Sequence, residues 1–578
     1  MKMLPIYFLL LFIFPAYTFS QIDEAAKEKQ RRKTMVIERI LSDVPNLKLN
    51  ENRALVYAKV GNLIWQSDAK RARALFQNAV GELLNAQTLA EADRKNIGYQ
   101  NDLLTGQTTR PQILNAVASR DAELALEYLY KTRPAKISQV MSASSDKKSK
   151  ISNQYSNYGY LIQNEINLEQ SFMRLAADQN PERAIKLLKE SLKKGLSNET
   201  LNQLKKLCEK DAASADQLAT EIVGKIIQSG FDAENQANYH NANIATSFLT
   251  EFIREKSPTE KFIKFENSQM QNLADRLIAY FLQQNARYGN YSAYSILPIA
   301  EKLAPTSVAK IKQAGKNNSR RGLDFYDDPE INKLLNNADT TTEELLSKAG
   351  NFPVESRRQI YQTAANKLVQ NGDLSRAAEI LNDNFSDDAL EDALRNLNWQ
   401  YSYHLISAGK FEQAELVIDE MPENTRLNLL VNLANAIYQK NPADNKSYAA
   451  AILGKARALI SEQPEDNGEM SGLMQIISTY SAIEPVEAFR LYESLISQIN
   501  ELSDAAIKIN GFNRNSNVKQ GEFVISSGNP LNFLGADFSV LGKLAANDFE
   551  RTLNLINGFT RRETVISLQL QLLESGLK

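Results

Sequence analysis

A small residue recurs along this chain at fixed offsets from bulky apolar residues. In residues 407–422, SAGKFEQAELVIDEMP, Ala414 is followed by Ile418 and Met421 at +4 and +7. These offsets place the three side chains on one face of a helix. Gly409 stands just before this helix, and glycine lets a chain leave a preceding helix in a left-handed conformation. We therefore interpret the segment as the second half of a helical hairpin.

The same pattern returns at a nearly constant interval. Its small residues are spaced by 37 (414 − 377), 35 (449 − 414) and 39 (488 − 449) positions. The four positions are Ala377, Ala414, Ala449 and Ala488. Looser copies place their small residues at Ala72, Ala125, Ala184, Ala219, Ala293 and Thr552. Paired helices with a period in the mid-thirties are typical of a helical solenoid.

Gly409, Phe411 and Ala414 resemble the tetratricopeptide-repeat family. In that family a glycine ends the first helix, an aromatic residue follows two positions later, and an alanine lies three beyond it. The preceding copy has Gly372, Leu374 and Ala377 at these positions. The pattern is clearest over residues 355–500, where Trp399 is one position out of register and several repeats exceed the family's length. HEAT-like or other irregular helix pairs are the structural alternative.

The resemblance implies an all-α fold, a right-handed superhelix of antiparallel helix pairs. We expect two helical segments, residues 21–304 and 351–578, with a bend at a linker over 305–350. The linker is suggested by a basic stretch that runs into acidic residues. A polar insertion at 510–535, rich in Asn, Gly and Ser, is expected to form a loop or a small β-hairpin in the C-terminal segment.

The N-terminus has the layout of a secretory signal peptide. Lys2 precedes an apolar run from Leu4 to Phe14, and small or hydroxylated residues follow. The run is shorter than the ~20 residues that span a bilayer, which favours a signal peptide over a membrane anchor. We predict cleavage after Ser20, a periplasmic or secreted bacterial protein, and no integral membrane segment after cleavage.

Composition narrows the classes of partner. Lys and Arg total 67 against 69 for Asp and Glu, so charge gives no reason to expect nucleic acid as a partner. The single cysteine, Cys208, cannot form an intramolecular disulfide. Stability is therefore expected from helix packing.

The sequence provides no recognisable catalytic, cofactor-binding or metal-binding constellation. The two histidines, His240 and His404, are far apart, and there is no HExxH, CxxC, EF-hand, GxSxG or phosphate-loop motif. We assign no catalytic, cofactor or metal residues. The sequence contains two pairs of adjacent acidic residues, Asp387 with Asp388 and Glu343 with Glu344. We expect these pairs to cap helices or face water.

These observations favour an exported, non-catalytic scaffold that binds a protein or peptide partner on the concave face of a helical solenoid. One alternative is a carbohydrate-active or other hydrolase that uses carboxylates in the groove. Another is a structural component of a cell-envelope assembly. Two tyrosine clusters are further candidates for a binding surface, although we expect them to pack between helices. One cluster is Tyr155, Tyr158 and Tyr160, and the other is Tyr288, Tyr291 and Tyr294.

Overall fold

The protein is built from α-helices that pack against their neighbours in pairs. The computed structural model describes residues 6–92, 108–144, 159–180, 182–192, 196–231, 236–257, 260–288, 296–319, 329–513, 517–535 and 537–575. The predicted all-α class is confirmed. Contacts divide the chain into two compact units, unit 1 (residues 1–117 and 422–578) and unit 2 (residues 118–421).

The helices are numbered in chain order. The first fourteen are α1 (Ile6–Asp43), α2 (Asn50–Ile64), α3 (Ala69–Ala92), α4 (Thr109–Ala118), α5 (Ala122–Lys131), α6 (Ala135–Ser144), α7 (Gly159–Gln179), α8 (Ala184–Leu192), α9 (Thr200–Lys210), α10 (Ala212–Ser229), α11 (Gln236–Ile253), α12 (Asn267–Tyr288), α13 (Leu297–Leu303) and α14 (Val308–Ser319). The remaining helices are α15 (Pro329–Asn336), α16 (Thr342–Ala349), α17 (Val354–Gln370), α18 (Leu374–Asn384), α19 (Asp387–Ser407), α20 (Phe411–Asp419), α21 (Glu423–Lys440), α22 (Lys446–Ala458), α23 (Asn467–Ile483), α24 (Pro485–Phe512), α25 (Val540–Asn547), α26 (Phe549–Asn557) and α27 (Arg562–Glu574).

The predicted helical hairpins form as tandem pairs. In unit 2, α17 packs against α18 and α19 against α20, and the first helices α17 and α19 also touch. In unit 1, α21 packs against α22 and α23 against α24, and α21 touches α23. Contact between the first helices of successive pairs is the stacking that defines a helical repeat array.

Two glycines make the turns of the clearest pairs. Gly372 and Gly409 have φ of +83° and +71°, which other residues rarely adopt. The amide of Gly372 donates to the Val369 carbonyl at 2.9 Å, and the next amide donates to the Leu368 carbonyl at 2.9 Å. The Gly409 turn has the same two bonds, which are those of a Schellman motif.

The small residues of the predicted pattern are buried. Every described member of the predicted set is 0% exposed: Ala72, Ala125, Ala184, Ala219, Ala377, Ala414, Ala449, Ala488 and Thr552. Ala293 lies outside the described residues. Ile418 is also 0% exposed and Met421 is 5% exposed, so the predicted face of α20 is its buried face.

Residues 305–350, predicted as a linker, contain α14, α15 and α16. Leu334 and Leu345 are buried there and pack in one apolar cluster with Ile360 of α17. The spacing of the apolar residues is sufficient for these short helices to pack, although many of the residues between them are polar. The first basic residues of that stretch lie on α14, where Lys310 and Lys312 are exposed; Arg320, Arg321 and the acidic residues after them lie outside the described residues.

The N-terminal and C-terminal parts of the chain pack together within unit 1. Helices α1 and α2 both contact α27. Lys59 Nζ lies 3.0 Å from Glu574 Oε1, and the guanidinium of Arg32 lies 5.2 Å from the ring centroid of Phe549. The first helices therefore have the last helices as packing neighbours.

The polar insertion forms a hairpin. Strands β1 (Val518–Lys519) and β2 (Glu522–Phe523) are antiparallel, with Val518 opposite Phe523. The two residues between the strands both have positive φ, Gln520 at +51° and Gly521 at +71°, as a type I′ turn requires. Short 3-10 turns follow at Ile525–Ser527 and Asn532–Leu534, and the end of α24 extends into the predicted insertion.

Helix α1 begins at Ile6, so residues 6–20 of the predicted signal peptide are the start of this helix. Within the described part of the chain, no helix has both the length and the apolar character that a bilayer crossing needs. The cleavage site stays a prediction.

Candidate functional site

An aromatic pair lies at the surface of α19. Trp399 is 37% exposed, and its ring meets that of Tyr403 edge to face with centroids 4.5 Å apart. The two residues are one helical turn apart, so their rings share one side of the helix. We call Trp399 and Tyr403 the aromatic face. Tyr401 and His404 form a second, stacked pair on the same helix with centroids 6.3 Å apart.

The buried side of α19 explains why this pair faces outward. Ala393, Leu397 and Leu405 are 5%, 1% and 1% exposed and follow a spacing of four and eight residues. The hydroxyl of Ser402, also buried, donates to the Asn398 carbonyl at 2.9 Å. Trp399 points to the other side of the helix, where 37% of its surface is exposed. Its departure from the repeat register is therefore a surface feature.

His404 packs against the turn of the neighbouring pair. A Cβ on Gly372 would lie 3.7 Å from His404 Nε2, which is ordinary van der Waals contact. On α17, which packs against α19, the side chains of Gln362 and Asn366 are half-buried and hydrogen-bonded to each other at 3.2 Å. Tyr401 and His404 follow Leu397 by four and seven residues, so they lie on the α17 side of α19, away from Trp399.

The hairpin segment, residues 517–527, is attached to α2 by a buried amide. Asn52 is 1% exposed. Its Nδ2 donates to Glu522 Oε1 and to the Phe523 carbonyl, both at 2.7 Å, and its Oδ1 accepts from the Ile525 amide at 2.8 Å. One side chain therefore satisfies three polar groups of the hairpin segment.

Glu522 and Glu563 are two carboxyl groups buried beside this amide, each 4% exposed. Glu522 Oε2 accepts from the Lys48 amide at 2.7 Å, and its Oε1 also accepts from the Leu49 amide at 3.3 Å. Glu563 Oε1 accepts from the Phe523 amide at 3.3 Å. Burial raises the pKa of the Glu563 carboxyl above its usual value, and the negative charge of Glu522 contributes to the rise.

A cavity of about 370 Å³ opens beside the two carboxyl groups. Four cations and one further acid line it: Arg39, Lys48, Arg561, Arg562 and Asp43. Arg561 is held by Asp504, with Nε 2.8 Å from Oδ1, and by the Gly521 carbonyl at 3.2 Å. Because Glu522 is already bonded by three donors, its role in this geometry is to fasten the hairpin segment to the N-terminal helices.

No family model matches the chain, and no curated protein matches it. Among solved structures, the chain is similar to one described as "Circular tandem repeat protein with novel repeat topology and enhanced subunit contact surfaces", at 13% identity. The match covers 91% of this chain and 98% of that one, with a TM-score of 0.19. At that score the two chains do not superimpose over their length, and the helical-repeat fold rests on this chain's own packed pairs.

Unit 2 contains a second pair of buried acids. Glu165 and Glu169 of α7 are 2% and 3% exposed. Arg133 lies between them, with nitrogens 2.6 Å and 3.1 Å from their oxygens, and the Tyr130 hydroxyl donates to Glu169 at 2.6 Å. Glu165, Glu169, Arg133 and Tyr130 therefore form a buried cluster of ion pairs and hydrogen bonds.

The acid pairs noted in the sequence occupy helix starts. Glu343 and Glu344 are in the first turn of α16, and Asp387 and Asp388 are in the first turn of α19. The pKa of the Glu343 carboxyl is lowered by its own backbone N–H and by Arg376.

Cys208 and the histidines form no reactive cluster in the described residues. Cys208 is buried, and burial raises the pKa of its thiol, which lowers its reactivity. Over the same described ranges, His, Cys, Asp and Glu form no group of three or more that could hold a metal ion. The side chain of His240 lies outside the described residues, as do those of the predicted tyrosine clusters.

Sequence reasoning did not single out Asn52, Glu522 or Glu563. Each is a polar residue in a stretch that reads as an ordinary amphipathic helix or loop. The apolar stretch GEFVIS, which begins at Gly521, is the one local sign that the insertion packs inward.

Proposed function

We propose that the protein is an exported, non-catalytic scaffold that binds a protein or peptide partner through the aromatic face of α19. The observation that carries the proposal is the exposure of Trp399 beside Tyr403 on a packed helical-repeat scaffold. Tryptophan and tyrosine are enriched at the centres of protein interfaces, because they bury a large area at a low cost in conformational entropy.

The tetratricopeptide-like pattern supports the choice of helix. Helix α19 is the first helix of the pair closed by Gly409, and the family resemblance implies that first helices line the groove of such arrays. The neighbouring first helix, α17, packs against the buried side of α19 and leaves Trp399 on the side away from it. We expect a bound peptide to place an apolar side chain against the ring of Trp399.

Export is proposed on the N-terminal sequence alone. A cation followed by an apolar run and small residues supports a secretory signal and a periplasmic or secreted location. Two alternatives stay predictions without assigned residues: a hydrolase that uses groove carboxylates, and a structural part of a cell-envelope assembly. The buried acids favour neither, because their oxygens accept hydrogen bonds that hold helices together.

The test compares two exposed positions of the same pair. Trp399→Ala should weaken partner binding by about thirtyfold or more, the effect expected of a central interface tryptophan. Leu416→Ala on α20 is the matched control, since Leu416 is 67% exposed outside the aromatic face. Affinity purification of the three proteins from the native source would identify a partner that the wild type and the control retain and Trp399→Ala loses.

Binding is then measured with purified proteins. The chain has two tryptophans, so Trp65→Phe leaves Trp399 as the sole indole fluorophore. Its emission should shift to shorter wavelength when the partner covers it. A partner that binds Trp399→Ala as tightly as the wild type would refute the aromatic face as the site.

A further inference from the structure

The last turns of α24 expose a row of apolar side chains. Leu502, Ile509 and Phe512 are 37%, 60% and 89% exposed. Spacings of seven and three residues place them on one face of the helix. The opposite side is covered, since Ile507 packs against Val518 and Phe523 of the hairpin segment. An apolar row on the uncovered side is typical of a protein contact surface.

We propose that this row is a contact between two copies of the chain. The α24 surface is defined here as Leu502, Ala505, Ile509 and Phe512; Ala505 is also exposed. A two-fold axis near Ala505 sets the two helices antiparallel. Since Leu502 lies three positions before Ala505 and Ile509 four after it, Leu502 of each copy then lies beside Ile509 of the second copy. The small side chain of Ala505 allows close approach at the crossing.

The charges beside the α24 surface favour a second copy. Glu501 lies four positions before Ala505 and Lys508 three after it, and both are exposed. The same axis places Glu501 of one copy beside Lys508 of the second copy. A parallel arrangement would set like charges opposite each other, so the order of the charges selects the antiparallel pair.

The contact is short, and the expected dimer is therefore weak. Three large apolar side chains on one helix bury less than the ~800 Å² per partner of a standard interface. Sedimentation velocity of the full chain at concentrations from about 1 to 200 µM should show reversible monomer–dimer exchange. Ile509→Asp should raise the dissociation constant by about tenfold or more, since it places a charge in an apolar contact.

Charge reversal distinguishes a second copy from another occupant. Glu501→Lys and Lys508→Glu should each weaken the dimer a few-fold, and the double variant should restore it, because both charges belong to the same chain. Ala505→Cys supplies a direct test. Its thiol lies near the axis and should form a disulfide-linked dimer under mild oxidation, whereas the exposed control Ser42→Cys should not. The native Cys208 is buried and adds no background.

The proposal is overturned if the wild type stays monomeric at the highest concentration. It is equally overturned if Ala505→Cys crosslinks no faster than Ser42→Cys, or if the double charge variant fails to recover the dimer. Circular dichroism of Ile509→Asp and the charge variants confirms that each is folded, which is expected because the altered side chains are exposed.

Discussion

Asn52 and Glu522 are 470 positions apart in the chain, and their side chains are joined by a hydrogen bond of 2.7 Å. This bond lies within unit 1, where the hairpin segment meets α2. The polar insertion that the sequence predicted as a loop or a small β-hairpin is thus fastened inside the molecule. Its polar residues form hydrogen bonds that join the C-terminal part of unit 1 to α2 in the N-terminal part.

Asn52→Ala should destabilise unit 1 by about 2–4 kcal/mol. The substitution leaves the Ile525 amide and the Phe523 carbonyl buried without this partner, and each such group costs about 1–3 kcal/mol. Chemical denaturation followed by circular dichroism measures the change. Asn202→Ala, at an exposed position of α9, is the control and should shift the midpoint little. Equal midpoints for the two variants would contradict the role given to Asn52.

Glu563→Gln should change how stability depends on pH. The folded-state pKa of Glu563 is raised, so the stability that its neutral form contributes is fully present below the ordinary glutamate pKa of about 4.5. It is lost as the pH rises through the folded-state pKa, because a charge must then be buried beside Glu522. The amide of the Glu563→Gln variant cannot ionise and avoids this loss.

Thermal unfolding of the wild type and Glu563→Gln from about pH 4 to 8 checks this sign. The melting temperature of the variant relative to that of the wild type should increase as the pH rises. Above the folded-state pKa this difference should stay constant. A difference in melting temperature that is independent of pH would show that burial does not perturb this carboxyl group.

Ala414→Trp should cost at least about 1–3 kcal/mol, the range for overpacking a buried crossing. Ala414 is a 0% exposed residue of α20, the helix that packs against α19. Ala408→Trp is the matched control, because Ala408 is exposed at the turn of the same pair. The free energy of unfolding of both variants is measured in urea. A value for Ala414→Trp equal to that of the wild type would contradict close helix packing at this position.

Alanine substitutions at two glycines should have effects of opposite sign. Gly372→Ala should destabilise by about 1 kcal/mol, because φ is +83° and alanine is strained there although space is available. Gly454→Ala, in the interior of α22 with no atom near the added Cβ, should stabilise by about 0.5–1 kcal/mol. The two denaturation midpoints, compared with the wild type, give both signs in one experiment.

The helix pairs were predictable because their determinants are local. Gly372, Gly409 and the small residue five positions after each specify a turn and a crossing within a dozen residues. Spacing alone therefore identified buried positions such as Ala377 and Ala414. Residues 305–350 were harder to interpret, since their polar composition obscured short apolar spacings such as that of Ile331 and Leu334.

The hairpin attachment could not be predicted, because it depends on partners distant in sequence. Nothing near Asn52 indicates that it meets Glu522, and a buried glutamate looks the same in sequence as an exposed one. The aromatic face could be predicted in part, unlike the hairpin attachment. Trp399 is visibly out of register in the repeat pattern, but whether it packs inward or faces solvent depends on which side of α19 meets its neighbours.

The two-part composition of unit 1 affects the order in which the molecule can form. Residues 118–421 are synthesised between its halves, a delay of 304 residues (421 − 118 + 1). Leu55 of α2 is 1% exposed in the folded protein and lies near Ile525 and Leu570, so we expect its full burial only after the C-terminal part has been made. We therefore expect the newly made N-terminal region to expose this apolar surface, and a chain truncated before residue 522 to lack the packing partners that complete unit 1.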